Sequence, residues 1–138
     1  MNIKEYKAIA KPRMQHEGII QVAFGAFLKL AAASGKLSDN LLFYTYSGAG
    51  EKKHKTTAIN QYRKGLRKGD PDYRFEVKNG DKMRVVYIEF KSQKGSLTPE
   101  QKDFFQKHND LINAKCYLAT TVMQARQILI DEQIYIND

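Results

Sequence analysis

Three side chains with the chemistry of a hydrolytic metal site occur within 20 residues of one another. Asp72 follows a turn-forming Gly-Asp-Pro sequence, and Glu89 and Lys91 stand where the next apolar stretch ends. Carboxylates hold Mg²⁺, and the ion orients a phosphate, acidifies a bound water and screens the leaving oxygen. A neighbouring lysine can orient or activate that water and offset charge on the phosphate. These residue types together predict hydrolysis of a phosphodiester.

Two predicted strands would bring these side chains together. Residues 72–77 alternate polar and apolar, Asn79-Gly80 favours a tight turn, and residues 83–91 form the partner strand. Asp72 lies seven residues before Asn79 and Glu89 lies nine after Gly80, so antiparallel pairing places the carboxylates roughly opposite each other. Glu89 and Lys91 share one face because side chains alternate. The alternative is a turn aspartate and an exposed strand pair of little energetic value.

Gln101 stands at the start of a predicted helix. Thr98 is the expected N-cap, Pro99 takes the first helical position, and Gln101 follows three residues after the cap. A capping box accounts for this glutamine without a catalytic role, although the two roles are compatible. The core face of the helix is predicted as Phe104, Phe105, His108, Leu111 and Ile112.

Glu17 lies near the start of another predicted helix, from Met14 to about Ala33. This carboxylate faces the same way as the apolar stripe of the helix, and two roles are open to it. It is paired or bound to a cation, since an unpaired inward carboxylate is costly, or it is a first-turn acid favoured by the helix dipole. The stripe consists of Ile20, Phe24, Phe27, Leu28 and Ala31.

The remaining pattern predicts one α/β domain over residues 1–138. Strands are expected at 41–46 and 114–120, and helices within 56–66 and at 122–130. No internal repeat, low-complexity tract or linker divides the chain.

The charge balance favours a polyanionic partner. Lysines and arginines exceed acids by 23 − 15 = 8, and the isoelectric point is near 9.5. A single cysteine, Cys116, excludes an intrachain disulfide. The absence of a signal-peptide pattern or an apolar span predicts a soluble, cytoplasmic protein without membrane contact. The predicted DNA-binding residues are Lys52, Lys53, Lys55, Arg63, Lys64, Arg67, Lys68 and Lys94.

The motifs resemble those of a known nuclease family. Pro71-Asp72 followed by Glu89-Phe90-Lys91 is similar to the PD-(D/E)xK signature of a large nuclease superfamily. The approach GLRKGDPD over residues 65–72 and the continuation IEFKS…GSLTPEQ over 88–101 resemble the VRR-NUC family. The likeness extends from about Glu17 to Thr120.

This resemblance implies a restriction-endonuclease-like core, a mixed central β-sheet flanked by α-helices. It implies that Asp72, Glu89 and the Phe90 backbone carbonyl bind Mg²⁺ or Mn²⁺, with Glu17 completing the site. It also implies that Lys91 is the catalytic lysine and that Gln101 positions the site or the substrate. Asp70 departs from the small or apolar residue common in the family, which leaves its contribution to the ligand set open.

The resemblance also implies a substrate and an assembly. Stand-alone viral and bacterial members are similar to Holliday-junction resolvases, so a homodimer acting on four-way or branched DNA is expected. The small size favours a phage protein acting in the host cytoplasm. The alternatives are a DNA-binding module that no longer cuts, and a nuclease of the same superfamily for linear duplex, flaps or RNA.

Overall fold

A computed structural model of the chain describes residues 17–48 and 55–137. Its helices are α1 (Glu17–Ala33), α2 (Lys55–Arg63), α3 (Pro99–Asn109) and α4 (Val122–Asp131). Its strands are β1 (Leu41–Tyr46), β2 (Tyr73–Asn79), β3 (Lys82–Phe90) and β4 (Ala114–Ala119). Each predicted strand and helix in this range is present, with bounds shifted by a few residues.

The strands form a mixed four-stranded sheet in the order β1-β2-β3-β4. The β1–β2 and β2–β3 pairs are antiparallel, whereas β4 runs parallel to β3. A parallel neighbour requires a crossover connection, and α3 supplies it. The predicted α/β architecture, a mixed sheet flanked by helices, is therefore confirmed.

The main hydrophobic core fills the space between one face of the sheet, α1 and α4. The alternating pattern of β2 accounts for this, because Tyr73, Phe75 and Val77 are buried and the residues between them are more exposed. The β3 residues Ile88 and Phe90 meet them from the next strand. The helices contribute Ile20, Phe24, Leu28, Ala125 and Leu129.

Helix α3 packs on the opposite face of the sheet, through aromatic rings. The Tyr87 ring meets the edges of Phe104 and His108, with ring centroids 5.0 and 5.3 Å apart. Asn109 accepts a hydrogen bond from the Cys116 backbone N–H at 2.7 Å, which ties the end of α3 to β4. The polar face of β3 is therefore covered by a helix.

One predicted stretch of core is wrong. Leu111 is 59% exposed and Ile112 fully exposed, because α3 ends at Asn109 and the chain turns toward β4 beyond it. The helical spacing that grouped Leu111 and Ile112 with Phe104 ends at Asn109.

Within residues 17–48 and 55–137, none of the helices combines the length and apolar character of a membrane span.

Candidate active site

The register of the β2–β3 hairpin sets the two predicted carboxylates side by side. Tyr73 pairs with Ile88, so the residues just outside that pair are Asp72 and Glu89. The Ser47 backbone N–H donates to the Asp72 carbonyl at 2.8 Å, which fixes the chain as it enters β2. The predicted meeting of the two strand ends is confirmed.

Asp72 is a buried acid whose orientation is fixed by the neighbouring strand. Only 3% of its surface is exposed to solvent. The Phe90 backbone N–H donates to its Oδ2 at 2.8 Å. A carboxylate held by a backbone donor has little freedom to turn, so the other oxygen has a defined direction.

Glu89 is also buried, but its hydrogen bonding is incomplete. The Gln101 side-chain Nε2 donates to Glu89 Oε1 at 2.7 Å. Among the described residues, no group donates to Glu89 Oε2, which is itself buried. A buried carboxylate oxygen without a donor is unfavourable, and such atoms are few in folded proteins.

The pKa of Glu89 also indicates that the surrounding protein does not stabilise its ionised form. Burial is the first cause that raises the pKa of its carboxyl from 4.5 to about 9. Asp72 raises it further, since its carboxylate accepts a hydrogen bond from protonated Glu89 and repels the ionised form. Lys91 lowers it, and Glu17 raises it. Glu89 therefore keeps a proton at neutral pH unless another cation offsets the two acids.

Lys91 is a buried cation next to these acids. It is 8% exposed, and its backbone N–H donates to the Ala119 carbonyl at 3.0 Å, which fixes the residue just beyond β3. No carboxylate among the described residues forms an ion pair with its ammonium group. Glycine at 95 keeps the turn close to it, because a Cβ there would lie 3.2 Å from the Lys91 Cβ.

Gln101 joins the site to the start of α3. The Thr98 hydroxyl accepts a hydrogen bond from the Gln101 N–H at 3.2 Å, and Gln101 Oε1 accepts from the Thr98 N–H at 2.9 Å. This is the predicted capping box. The same side chain donates its amide to Glu89, so Gln101 caps the helix and contacts the site at once.

Glu17 is the first residue of α1 and is half-buried. Its charge adds to burial and to Asp72 in raising the pKa of Glu89, so it lies within electrostatic reach of that acid. Within residues 17–48 and 55–137, however, no three His, Cys, Asp or Glu side chains are grouped closely enough to hold a metal ion. The role of Glu17 as a direct ligand stays a prediction.

Asp70 has a partner away from the carboxylate pair. The Ser47 hydroxyl donates to Asp70 Oδ2 at 2.8 Å. Asp70 also lines a cleft against α3. Gly69, at φ +91°, lets this loop touch the helix, since a Cβ there would lie 2.7 Å from the Glu100 carbonyl oxygen. The sequence does not single out this glycine, because glycine is common in turns of every type.

The predicted DNA-binding residues divide into two groups. Lys52 and Lys53 lie outside the described residues, as does the side chain of Lys55. The others form an exposed group along the end of α2, the loop that follows it, and the turn after Lys91: Arg63, Lys64, Arg67, Lys68 and Lys94.

Comparison of the chain with protein-family models, curated proteins and solved structures finds no match. The VRR-NUC resemblance therefore stays a prediction that depends on the motif residues themselves. The geometry adds two buried acids, a buried lysine and an amide donor meeting at one end of β3.

Proposed function

We propose that this chain is a metal-dependent DNA endonuclease, a phosphodiesterase that requires Mg²⁺ or Mn²⁺. The observation that carries the proposal is a pair of buried acids, Asp72 and Glu89, in which no described residue donates to Glu89 Oε2. Without a cation, only a proton shared with Asp72 can satisfy this oxygen, and that proton raises the pKa of Glu89. A bound cation would take the place of the shared proton and satisfy both acids in their ionised form.

The donor set fits Mg²⁺. This ion keeps several waters and is bound through one or two carboxylates together with substrate phosphates, so three protein acids are not required. Asp72 and Glu89 would hold it with the Phe90 carbonyl, and Glu17 would complete the site. When bound, the ion supplies an acidified water and screens charge on the phosphate.

The protein groups supply positioning and charge. The Phe90 N–H and the Gln101 amide fix the two acids in one orientation each, so the site needs little rearrangement. The Lys91 ammonium, held near them, would orient the attacking water through an Nζ proton and offset the charge that develops on the phosphate. Its burial strengthens that interaction by excluding water.

The finer parts of the proposal follow the resemblance. The sheet and helices would be the core of a restriction-endonuclease-like fold, and the chain a member of the VRR-NUC family. It would act in the cytoplasm as a homodimer, with two sites on a four-way or branched DNA. The excess of basic residues supports a DNA partner.

The test is cleavage of a labelled four-way junction beside a linear duplex of the same sequence. Each substrate is incubated with Mg²⁺, Mn²⁺ or EDTA and with wild type, Lys91→Ala or Lys78→Ala. Lys78 is a matched control, because it is an exposed lysine at the turn end of the same hairpin. We expect metal-dependent, symmetric cutting of the junction that is lost in Lys91→Ala and kept in Lys78→Ala.

Other outcomes would revise the proposal in different ways. Cutting of both DNAs would keep the chemistry and remove the junction preference. Cutting of flaps or RNA in parallel assays would change the target. Binding without cutting in either metal would indicate the inactive DNA-binding module.

The lysines at positions 52, 53 and 55 give a separate prediction about DNA binding. Neutralising Lys52, Lys53 and Lys55 together should weaken DNA affinity. It should also make the slope of log affinity against log salt concentration shallower, by up to about 0.9 per lysine. Fluorescence anisotropy over a salt series measures both quantities. An unchanged affinity and salt slope would remove these lysines from the interface.

A further inference from the structure

The cleft that Asp70 lines has a volume of about 530 Å³ and lies between α3 and the loop that precedes β2. Small-molecule sites usually enclose about 300–1,000 Å³, so its size suits a ligand rather than a single ion or water. The α3 side consists of positions 100, 103, 104, 107 and 108, which form one face of the helix. None of these side chains takes part in the carboxylate site.

The α3 wall of the cleft carries an aromatic pair. The Phe104 and His108 rings stack face to face, with centroids 3.7 Å apart and planes inclined by 13°, so the pair offers an outer ring face and not a joint surface. Tyr87 supports both rings by its edge-on contacts from the sheet. The His108 Nδ1 lies 2.8 Å from the Phe104 carbonyl oxygen, so a neutral ring donates there and leaves Nε2 as an acceptor.

The rim of the cleft carries charges of both signs. Arg67 and Lys68 stand on the loop side, where a phosphate would find cations. Asp70 and Glu100 also line the cleft, and carboxylates accept hydrogen bonds from exocyclic amino groups of bases. Asp70 Oδ2 already accepts from the Ser47 hydroxyl, so Asp70 would use its other oxygen. Asp103 is occupied at least in part by Lys107, at 2.9 Å. Phosphate alone would gain nothing from the acids, whereas a nucleotide uses both signs and the outer ring face.

The cleft shares a wall with the candidate active site. Asp70 lines the cleft and lies two residues before Asp72, a separation that an extended chain spans in about 7 Å. On the helix side, Glu100 lines the cleft and the next residue, Gln101, contacts Glu89. The tight approach of Gly69 to Glu100 holds the loop against the helix between the two sites.

We propose that this cleft receives one unpaired nucleobase of the DNA substrate, from a nucleotide next to the phosphate that is cut. The base stacks on the outer ring face of the Phe104–His108 pair and turns its amino-bearing edge to Asp70 and Glu100. This inference rests on the proposed nuclease function and adds a basis for substrate choice. Unpairing a base takes least energy at a mismatch or in an already unpaired strand, so the cleft favours branch points over linear duplex.

The test uses the Lys91→Ala protein, which binds DNA without cutting it under the proposed function. A four-way junction and a linear duplex carry a single 2-aminopurine, moved one position at a time across the cleavage position. This fluorescent base is quenched when it stacks on DNA bases or on an aromatic ring, so quenching by the cleft is measured as the fluorescence with the Lys91→Ala protein relative to that with the Phe104→Leu double variant. We expect quenching at one position of the junction, and loss of that quenching when Phe104→Leu is added.

An abasic site at the responding position makes the test quantitative. Stacking on an aromatic side chain contributes enough that its removal weakens binding between about 5- and 160-fold. Removing the base should weaken binding by the Lys91→Ala protein within that range. Adding the abasic site to the Phe104→Leu double variant should give no further loss, because the same contact is already gone.

Two further variants control for folding. Phe105→Leu removes the same ring from the neighbouring, half-buried position of α3 that does not line the cleft, and it should retain the quenching. Leu66→Lys leaves the Tyr87 contact to Phe104 intact and puts a longer side chain without an aromatic ring into the cleft, so it should abolish the quenching. Melting temperatures identify any variant that fails to fold.

The outcomes separate this inference from the proposed function. If wild type cuts the junction but no position is quenched, or if Phe104→Leu and the abasic site act additively, the cleft does not bind a base and the nuclease function stands. If no DNA is bound or cut by any form of the protein, both proposals are wrong.

Discussion

Strand β3 carries a cluster of charged residues at each end, and the two clusters are satisfied to different degrees. Near its start, Arg84 Nη1 lies 2.7 Å from Glu132 Oε2, and its Nη2 donates to the Glu132 carbonyl. The Tyr117 hydroxyl donates to Glu132 Oε1, and Lys115 approaches the same oxygen at 3.8 Å. Every oxygen of Glu132 has a donor or cation.

The other end of β3 has the same kinds of group with a different balance. Glu89 and Asp72 are more deeply buried than Glu132, yet Glu89 Oε2 has no donor among the described residues. Lys91 supplies positive charge without an ion pair to any described carboxylate, and burial and Asp72 still raise the pKa of Glu89. The surrounding fold supports an arrangement that its own contacts do not satisfy.

The comparison separates a cluster whose hydrogen bonds and ion pairs are complete from one whose hydrogen bonds are not, among the described residues. Arg84 and Glu132 join β3 to the end of α4, and their contacts are complete in the protein alone. The site at Glu89 is incomplete in the protein alone, which is expected where a cation or substrate supplies the remaining partner. We therefore expect substitutions at Glu89 to lower activity more than stability, and substitutions at Glu132 to lower stability more than activity.

The largest expected effect is on catalysis by Glu89→Gln. Removing this charge should lower the rate of DNA cleavage by about 1,000-fold or more, the scale seen for groups that act directly at the reacting atoms. The free energy of unfolding without divalent ions should stay the same or rise at neutral pH, because an unfavourable buried acid is gone. Single-turnover cleavage and urea denaturation measure the two quantities. A large loss of stability with cleavage intact would reverse the roles of the two clusters.

The second effect is a pH dependence of stability. The pKa of Glu89 in the folded protein lies above its ordinary value, so its contribution is fully present below about 4.5 and is lost as pH rises through about 9. The free energy of unfolding of the metal-free protein should fall over this window, by at most about 1.4 kcal/mol per pH unit. Urea titrations at several pH values measure it.

The Glu89→Gln variant is the control for this pH dependence, and its slope should be smaller than that of wild type. Mn²⁺ should raise the melting temperature more at alkaline than at acidic pH, because binding displaces the proton. Equal slopes in the two proteins would remove Glu89 as the titrating group.

The third effect is intermediate and falls on Gln101. Gln101→Glu keeps an acceptor for the Thr98 N–H but loses the donor to Glu89, so cleavage should fall about 10- to 100-fold. Thr98→Ala is the matched control, because it weakens the same helix start by about 1 kcal/mol and leaves the contact to Glu89. If both variants lose activity in proportion to stability, Gln101 acts only as a cap.

The smallest effect is on stability at the other end of β3. Glu132→Gln should lower the free energy of unfolding by about 1–2 kcal/mol, since the pair with Arg84 is largely but not fully buried. Cleavage by the folded protein should be unchanged. A loss of cleavage in fully folded Glu132→Gln protein would mean that both clusters serve the site.

The sequence predicted the local parts of the site well. The hairpin was predicted, but its turn lies at Gly80-Asp81, one residue beyond the predicted Asn79-Gly80, because Asn79 pairs with Lys82 and only Gly80 takes a positive φ there. The two-residue alternation correctly put Glu89 on the face opposite Phe90. The Thr98–Gln101 capping box was likewise readable, since it depends on residues three positions apart. These features are determined by neighbours in the chain.

The features that depend on distant residues were not predicted. The Glu132 cluster needs α4 to end beside β3, which no local pattern specifies. Leu111 and Ile112 continued the spacing of a helix that had already ended. The unsatisfied oxygen of Glu89 is a property of everything around it, so residue type and spacing alone do not reveal it.

Gln101 also restricts how this protein can change over evolution. Its oxygen must face the Thr98 N–H, and its nitrogen must then face Glu89, so only a side-chain amide of this length serves both neighbours. Glutamate keeps only the first contact, a longer cation keeps only the second, and asparagine is too short. Several residues could cap the helix at this position, and several could contact Glu89. Only glutamine can do both, because one side chain must make both contacts.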